Sequence, residues 1–99
     1  MPRYEETRTY GARTSADCFE VAKQALPEAG FDVWKTRPIA WLVLSRRKED
    51  ADTIHANVSC LAAGRMTLAM GADTASEEAL KAYAHQIFSA CEARLSKKP

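Results

Sequence analysis

The sequence predicts an α+β fold: a two-layer sandwich in which an antiparallel sheet of four or five strands carries two helices on one face. Three observations predict it. From Thr74 to about Lys97 the chain writes one long amphipathic helix. Between Phe31 and Ala72 the pattern alternates with the period of strands. A shorter, alanine-rich helical stretch precedes those strands. The order is β-α-β-β-β-β-α, and hairpins with both helices on one side bury the apolar stripes most simply.

The elements follow in turn. Glu5 to Tyr10 mixes charge with Thr7, Thr9 and Tyr10, residues suited to a short edge strand, and Gly11 ends it. Thr14 or Ser15 caps the next helix, with Asp17 in its first turn where a negative charge suits the helix dipole. Cys18, Phe19, Ala22, Ala25, Leu26 and Ala29 fall at helical spacing. Pro27 lacks an N–H, so the helix is expected to end or distort near Leu26, with Gly30 as its stop. Phe31 to Thr36 alternates, placing Phe31 and Val33 on one face and Asp32, Trp34 and Thr36 on the other. Arg37-Pro38 reads as a turn.

Ile39 to Leu44 is continuously apolar and reads as a strand whose second face meets a cover or a partner. Arg46 to Asp52 reads as a charged loop. Thr53 to Leu61 places Ile54, Ala56, Val58 and Cys60 on one face, and His55, Asn57, Ser59 and Leu61 on the other. After the turn Ala62-Ala63-Gly64, the strand from Arg65 to Ala72 points Met66, Leu68 and Met70 inward. Thr74 with Glu77 matches a capping box for the last helix. Its stripe runs through Leu80, Tyr83, Ala84, Ile87, Phe88, Cys91 and Leu95 over roughly 33 Å at 1.5 Å per residue. Met1–Arg3 and Lys97–Pro99 are expected to fray.

Composition narrows the class. The chain has 99 residues, 46% of them hydrophobic and 27% charged, which fits one folded domain over positions 1–99. Net charge is +1, so the whole-molecule field does not recruit nucleic acid. No stretch reaches the ~20 apolar residues of a membrane span. The charged start, Met1-Pro2-Arg3-Tyr4-Glu5-Glu6, lacks a signal-peptide core, so a cytoplasmic chain is expected, although one trimmed of a signal would read the same. Cys18, Cys60 and Cys91 are far apart, without a CxxC pair and without an adjacent histidine. They read as buried thiols, and neither a metal site nor a cofactor is expected.

The element order, together with Ala16-Asp17-Cys18-Phe19 and the run Ala25-Leu26-Pro27-Glu28-Ala29-Gly30-Phe31-Asp32-Val33, resembles a class of small bacterial α+β domains of unknown function. The resemblance implies a strand, a helix ending in Leu and Gly-Phe, a four-stranded meander and a closing helix. Such relatives are often exported or lipid-anchored, and this sequence has no lipid-attachment cysteine near its start. The resemblance carries over no catalytic residue.

Function is sought on the sheet face away from the helices. Trp34, Trp41, Leu42, Leu44, His55 and Asn57 are the candidate partner-binding set, since one register of 39–44 must point outward. A homodimer or protein partner is the first expectation, with a non-enzymatic binding or assembly role. The alternative is a small apolar ligand held between sheet and helices by Phe19, Met66, Met70 and Ile87, methionine being an adaptable gap filler. Ser59 and His55 share a strand face roughly 13 Å apart, too far to form a nucleophile–base pair. Arg37, Arg46, Arg47 and Lys48 form a basic set, joined by Arg3, Arg8 and Arg13 if the N-terminus folds beside them. Glu49, Asp50 and Asp52 dilute that set, so nucleic acid is disfavoured.

Overall fold

In the computed structural model, which describes residues 2–11 and 13–96, eight short elements follow one another. They are β1 (Arg3–Thr9), α1 (Ser15–Glu28), β2 (Asp32–Arg37), a 3-10 turn (Pro38–Ala40), β3 (Leu42–Glu49), β4 (Asp52–Ser59), β5 (Arg65–Gly71) and α2 (Glu77–Leu95). The strands form one five-stranded antiparallel sheet in the order β1-β5-β4-β3-β2, and both helices pack on one face of it. The predicted α+β fold is therefore present.

Alternation decides which side chains meet the helices. Ile54, Ala56 and Val58 of β4 and Met66, Leu68 and Met70 of β5 point inward as predicted, and all are buried. They meet Phe19, Ala22, Ala25 and Leu26 of α1 and Leu80, Ala84, Ile87 and Phe88 of α2 in one apolar cluster. The three cysteines are fully buried in that cluster. Burial pushes the thiols of Cys60 and Cys91 up to about 12 and raises that of Cys18 as well.

Several local expectations are corrected. The first helix runs through Pro27 to Glu28. Its end is a Schellman motif: Phe31 N–H donates to Leu26 O at 2.9 Å and Gly30 N–H to Pro27 O at 3.0 Å, with Gly30 at φ +88°. These bonds satisfy the carbonyls of the last turn, so the missing Pro27 donor does not end the helix early. Thr14 is the N-cap: its hydroxyl accepts from Asp17 N–H at 3.0 Å, and Asp17 returns the contact.

The cap of α2 is Ser76, whose hydroxyl accepts from Ala79 N–H at 3.1 Å. Thr74 is used elsewhere. The buried Asp52 carboxylate collects the N–H groups of Asp73, Thr74 and Ala75 and the Thr74 hydroxyl, all within 2.9–3.0 Å. That carboxylate ties the start of β4 to the approach to α2.

The supposed charged loop 46–52 is mostly strand. β3 continues to Glu49 and meets β4 across the two residues Asp50 and Ala51. Its charges alternate, so Arg46 and Lys48 face water while Arg47 and Glu49 point to the helix side. There Tyr83 donates its hydroxyl to Glu49 at 2.8 Å, and the Arg47 guanidinium lies 5.0 Å from the Tyr83 ring centre. Ile39 and Ala40, expected in a strand, lie in the 3-10 turn. At the N-terminus Arg3, expected to fray, pairs with Gly71 in the sheet. The expectations for Met1 and Lys97–Pro99 lie outside the described residues.

Candidate functional site: the uncovered face of the sheet

The register of the sheet assigns the second face residue by residue. Leu42 pairs with Ser59, Leu44 with Asn57, Arg46 with His55 and Lys48 with Thr53. All of these side chains point away from the helices, whereas Val43 and Ser45 are buried on the helix side. Leu42 and Leu44 are thus the outward register. Trp41, expected beside them, is corrected: it sits at φ 50°, half-buried, and meets Phe19 edge to face at 5.6 Å between ring centres.

Trp34 points outward with Asp32, as plain alternation predicts, and β2 carries an irregularity between Val33 and Lys35. The extra residue puts Trp34 and Lys35 on the same exposed side and turns Thr36 inward, against the simple alternation. Trp34 is 47% exposed, with the Arg46 guanidinium 5.2 Å from its ring centre. His55 and Asn57 lie on the same face, one strand along. The predicted outer set is therefore brought together apart from Trp41. Two exposed aliphatic residues lie outside the predicted partner set, Leu61 at 67% exposure, which the alternation does place outward, and Ile39 at 99%, both at the end of the sheet where Trp41 O accepts from Cys60 N–H. Ile39 was hidden by the assumption that its apolar run was strand throughout.

Between the strand rows the floor is low. The outward residues of β5 beyond Arg65 are Thr67, Ala69 and Gly71, and those of β4 include Asn57 and Ser59. Arg3, His55, Asn57, Ala69 and Gly71 surround a depression of about 230 Å³, with Met70 at its margin. A second, of about 390 Å³, lies among Asp32, Arg46, Lys48 and Thr53.

Electrostatics separates the two faces. Arg3, Lys35, Arg37, Arg46, Lys48 and Arg65 point outward, with only Glu5 and Asp32 as outward carboxylates. The remaining described residues hold six cations and eleven carboxylates. Among the described residues every ion pair lies on the helix side: Arg8 with Glu6 and Glu92, Lys23 with Glu20, Arg47 with Glu49 and Arg94 with Glu28. None of the six outward cations takes part in one. Arg3 joins the basic set through its pairing with β5, while Arg8 and Arg47 leave it for the helix side.

Arg8 illustrates that other environment. It lies 4.4 Å from the centre of the Phe88 ring and donates to Glu6 at 2.6 Å and to Glu92 at 2.8 Å. Burial works against the Glu92 charge, but the donors on Arg8 and Tyr10 outweigh it and hold the carboxyl below its usual range. These groups satisfy one another inside the fold.

Phe19, Met66, Met70 and Ile87, the set named for a ligand, lie in the packed cluster between sheet and helices. A cleft of about 420 Å³ opens at the edge of the layers among Glu49, Asp52, Ala75 and Tyr83, and none of those four ligand candidates lines it. Among the described residues no group of His, Cys, Asp and Glu is placed to hold a metal ion. No helix among them is long and apolar enough to cross a membrane.

No family model and no curated protein matches this chain. In structure it is similar to a DUF4468 family protein from Bacteroides ovatus, with a TM-score of 0.51 at 4% sequence identity. The match covers 69% of this chain and 51% of that one, so the likeness spans about half of the solved chain. At that identity the likeness is one of fold.

Proposed function

We propose that this chain is a non-enzymatic binding or assembly module that docks a protein, or a second copy of itself, on the uncovered face of its sheet. The single observation that carries the reading is the contrast between the two faces. One face is sealed by two helices, with its polar groups paired. The other leaves Trp34, Leu42 and Leu44 beside cations that form no ion pair among the described residues. An antiparallel sheet tolerates a solvated face, and that face is then normally polar. Large apolar side chains gathered on such a face favour a contact surface. Burying a residue such as Leu44 or Trp34 would contribute a few kcal/mol at about 25 cal/mol per Å².

The test is a photo-crosslinking residue placed at Leu44, with a control at Gln86 on the exposed side of α2. In cells that make the protein, the expected outcome is a discrete adduct from position 44 that Trp34→Lys abolishes. Equal labelling from both positions, or none from position 44, would overturn the reading.

A further inference from the structure

We infer that the occupant of the uncovered sheet face is an acidic amphipathic helix of a partner protein. The inference rests on the docking role proposed above and adds the chemistry of the partner.

Charge comes first. The six outward cations outnumber the two outward carboxylates and form no ion pair among the described residues, so a net positive field remains even with Asp32 opposite Arg46. The net charge of +1 hides this, because the carboxylates are concentrated on the opposite side. A symmetric dimer through the face would set the same patch against itself. Six cations would then oppose six, and like charges at close range disfavour that pairing. An anionic occupant is favoured instead.

Shape comes second. β4 and β5 present mostly short side chains, Asn57, Ser59, Thr67, Ala69 and Gly71, as a trough floor, with His55 and Arg65 toward its ends. On one side stand Trp34, Leu42 and Leu44 with Lys35, Arg37 and Arg46. Arg3 stands on the other, on β1. The step from β1 to β3 spans three strand spacings, roughly 14 Å at about 4.8 Å each. An α-helix with its side chains is about 10 Å across. It fits between these banks with leucine-type residues on Leu42, Leu44 and Ala69 and its carboxylates toward the cations on either side.

Chemistry excludes the nearest competitor. Single-stranded nucleic acid on a sheet needs successive aromatic rings for its bases. The register puts two aromatic rings on this face, Trp34 on β2 and His55 on β4, with β3 between their strands, and Arg46 already lies over Trp34. The centre is aliphatic and small, which suits leucine side chains better than bases.

The experiment uses the whole chain and a synthetic helical peptide of glutamate and leucine, with leucines spaced for one face. Binding is followed by tryptophan fluorescence and calorimetry. Affinity should fall by at least roughly tenfold in Arg46→Glu and in Lys35→Glu, while the circular dichroism and melting temperature of each variant stay as in the parent. It should fall again between about 0.01 M and about 1 M salt, as the screening length shrinks from about 30 Å to about 3 Å. A lysine-and-leucine peptide of the same spacing should not bind. Light scattering should find a monomer at low salt.

Failure of the acidic peptide to bind overturns the inference, as does equal binding by the charge-reversed variants. Tighter binding of oligothymidylate or of phosphatidylserine vesicles assigns the face to another class of anion and also overturns it. A dimer dissociated by Leu44→Lys does the same. If the adduct from position 44 persists while the peptide fails, docking on this face stands and only the acidic helix falls.

Discussion

Gly30→Ala and Gly64→Ala should destabilise this protein by different amounts, although both glycines occupy the left-handed region. Gly30 lies at φ +88° and Gly64 at φ +73°. An alanine at either position carries the same backbone penalty, about 1–2 kcal/mol. What the new methyl meets is different. At position 30 it would approach the Arg47 Nη1 to 2.6 Å. That atom is the far end of a flexible side chain. Moving it gives up a 3.4 Å contact with Ala29 O and loosens a half-exposed ion pair with Glu49, together worth less than about 1 kcal/mol. The total is about 2 kcal/mol.

At position 64 the methyl would meet the Gly11 carbonyl oxygen at 2.6 Å, which is backbone. It cannot rotate away. Opening that contact pulls on the bond from Tyr10 N–H to Gly64 O, worth about 1 kcal/mol, and strains the segment that leads into α1. The total is about 3 kcal/mol or more. For a domain of this size each kcal/mol shifts the midpoint by about 4–8 °C. Urea and thermal unfolding of the two variants should therefore rank Gly64→Ala clearly below Gly30→Ala. Gly71→Ala, whose methyl would meet open space, should match the parent or exceed it slightly. In an Arg47→Ala background the cost of Gly30→Ala should shrink to its backbone part. Equal losses at positions 30 and 64, or an unchanged cost in that background, would refute the steric reasoning.

Three further outcomes are expected. The Asp73, Thr74 and Ala75 amides and the Thr74 hydroxyl hold the Asp52 carboxyl well below its usual range. Its stabilisation is therefore complete above the unfolded value of about 3.9 and fades as pH falls toward the folded one, so acid titration of Asp52→Asn should show a flatter stability profile below about pH 4. Buried thiols with raised values should ignore a soluble thiol reagent near neutrality: Cys18, Cys60 and Cys91 should react only after denaturant is added, and fast labelling of the native chain would contradict the packing. Tyr10→Phe removes the donor that reaches Glu92 at 2.8 Å and should cost about 1 kcal/mol by urea unfolding, an effect that vanishes in a Glu92→Ala background, where the acceptor is gone.

Much of this architecture was legible because hydrophobic period is a strong signal. Ile54, Ala56 and Val58, then Met66, Leu68 and Met70, announced one face of two strands. The stripe from Leu80 to Leu95 announced the long helix. The misreadings came where charge or proline was taken at face value. Arg46 to Glu49 looked like a loop because four charged residues in a row are usually solvated. In the fold, alternation sends two of them to water and two to Tyr83 and its surroundings. Pro27 looked like a stop, yet the bonds closing the last turn come from Gly30 and Phe31 beyond it. Thr74 and Ser76 are both plausible caps, and only the position of Asp52 decides between them.

The candidate site was legible in part. For the run 39–44 period two left two registers open, whereas Trp34, His55 and Asn57 could be placed by it. Its charge could not, because that depends on strand order. Arg3 reaches the face only because β1 lies beside β5, and Lys35 only because the strand slips by one residue at Trp34. Neither fact is local in the sequence.

The pairing of β1 with β5 also bears on how the molecule assembles. Thr7 finds its cross-strand neighbour in Thr67, so β1 cannot be matched during synthesis until β5, the last strand of the sheet, has emerged. β2 to β5 can zip up through short connections, whereas β1 must wait and then close the longest loop in the sheet. Its amides should be the last to gain protection during refolding, and a force applied to the N-terminus should peel it away before the rest yields.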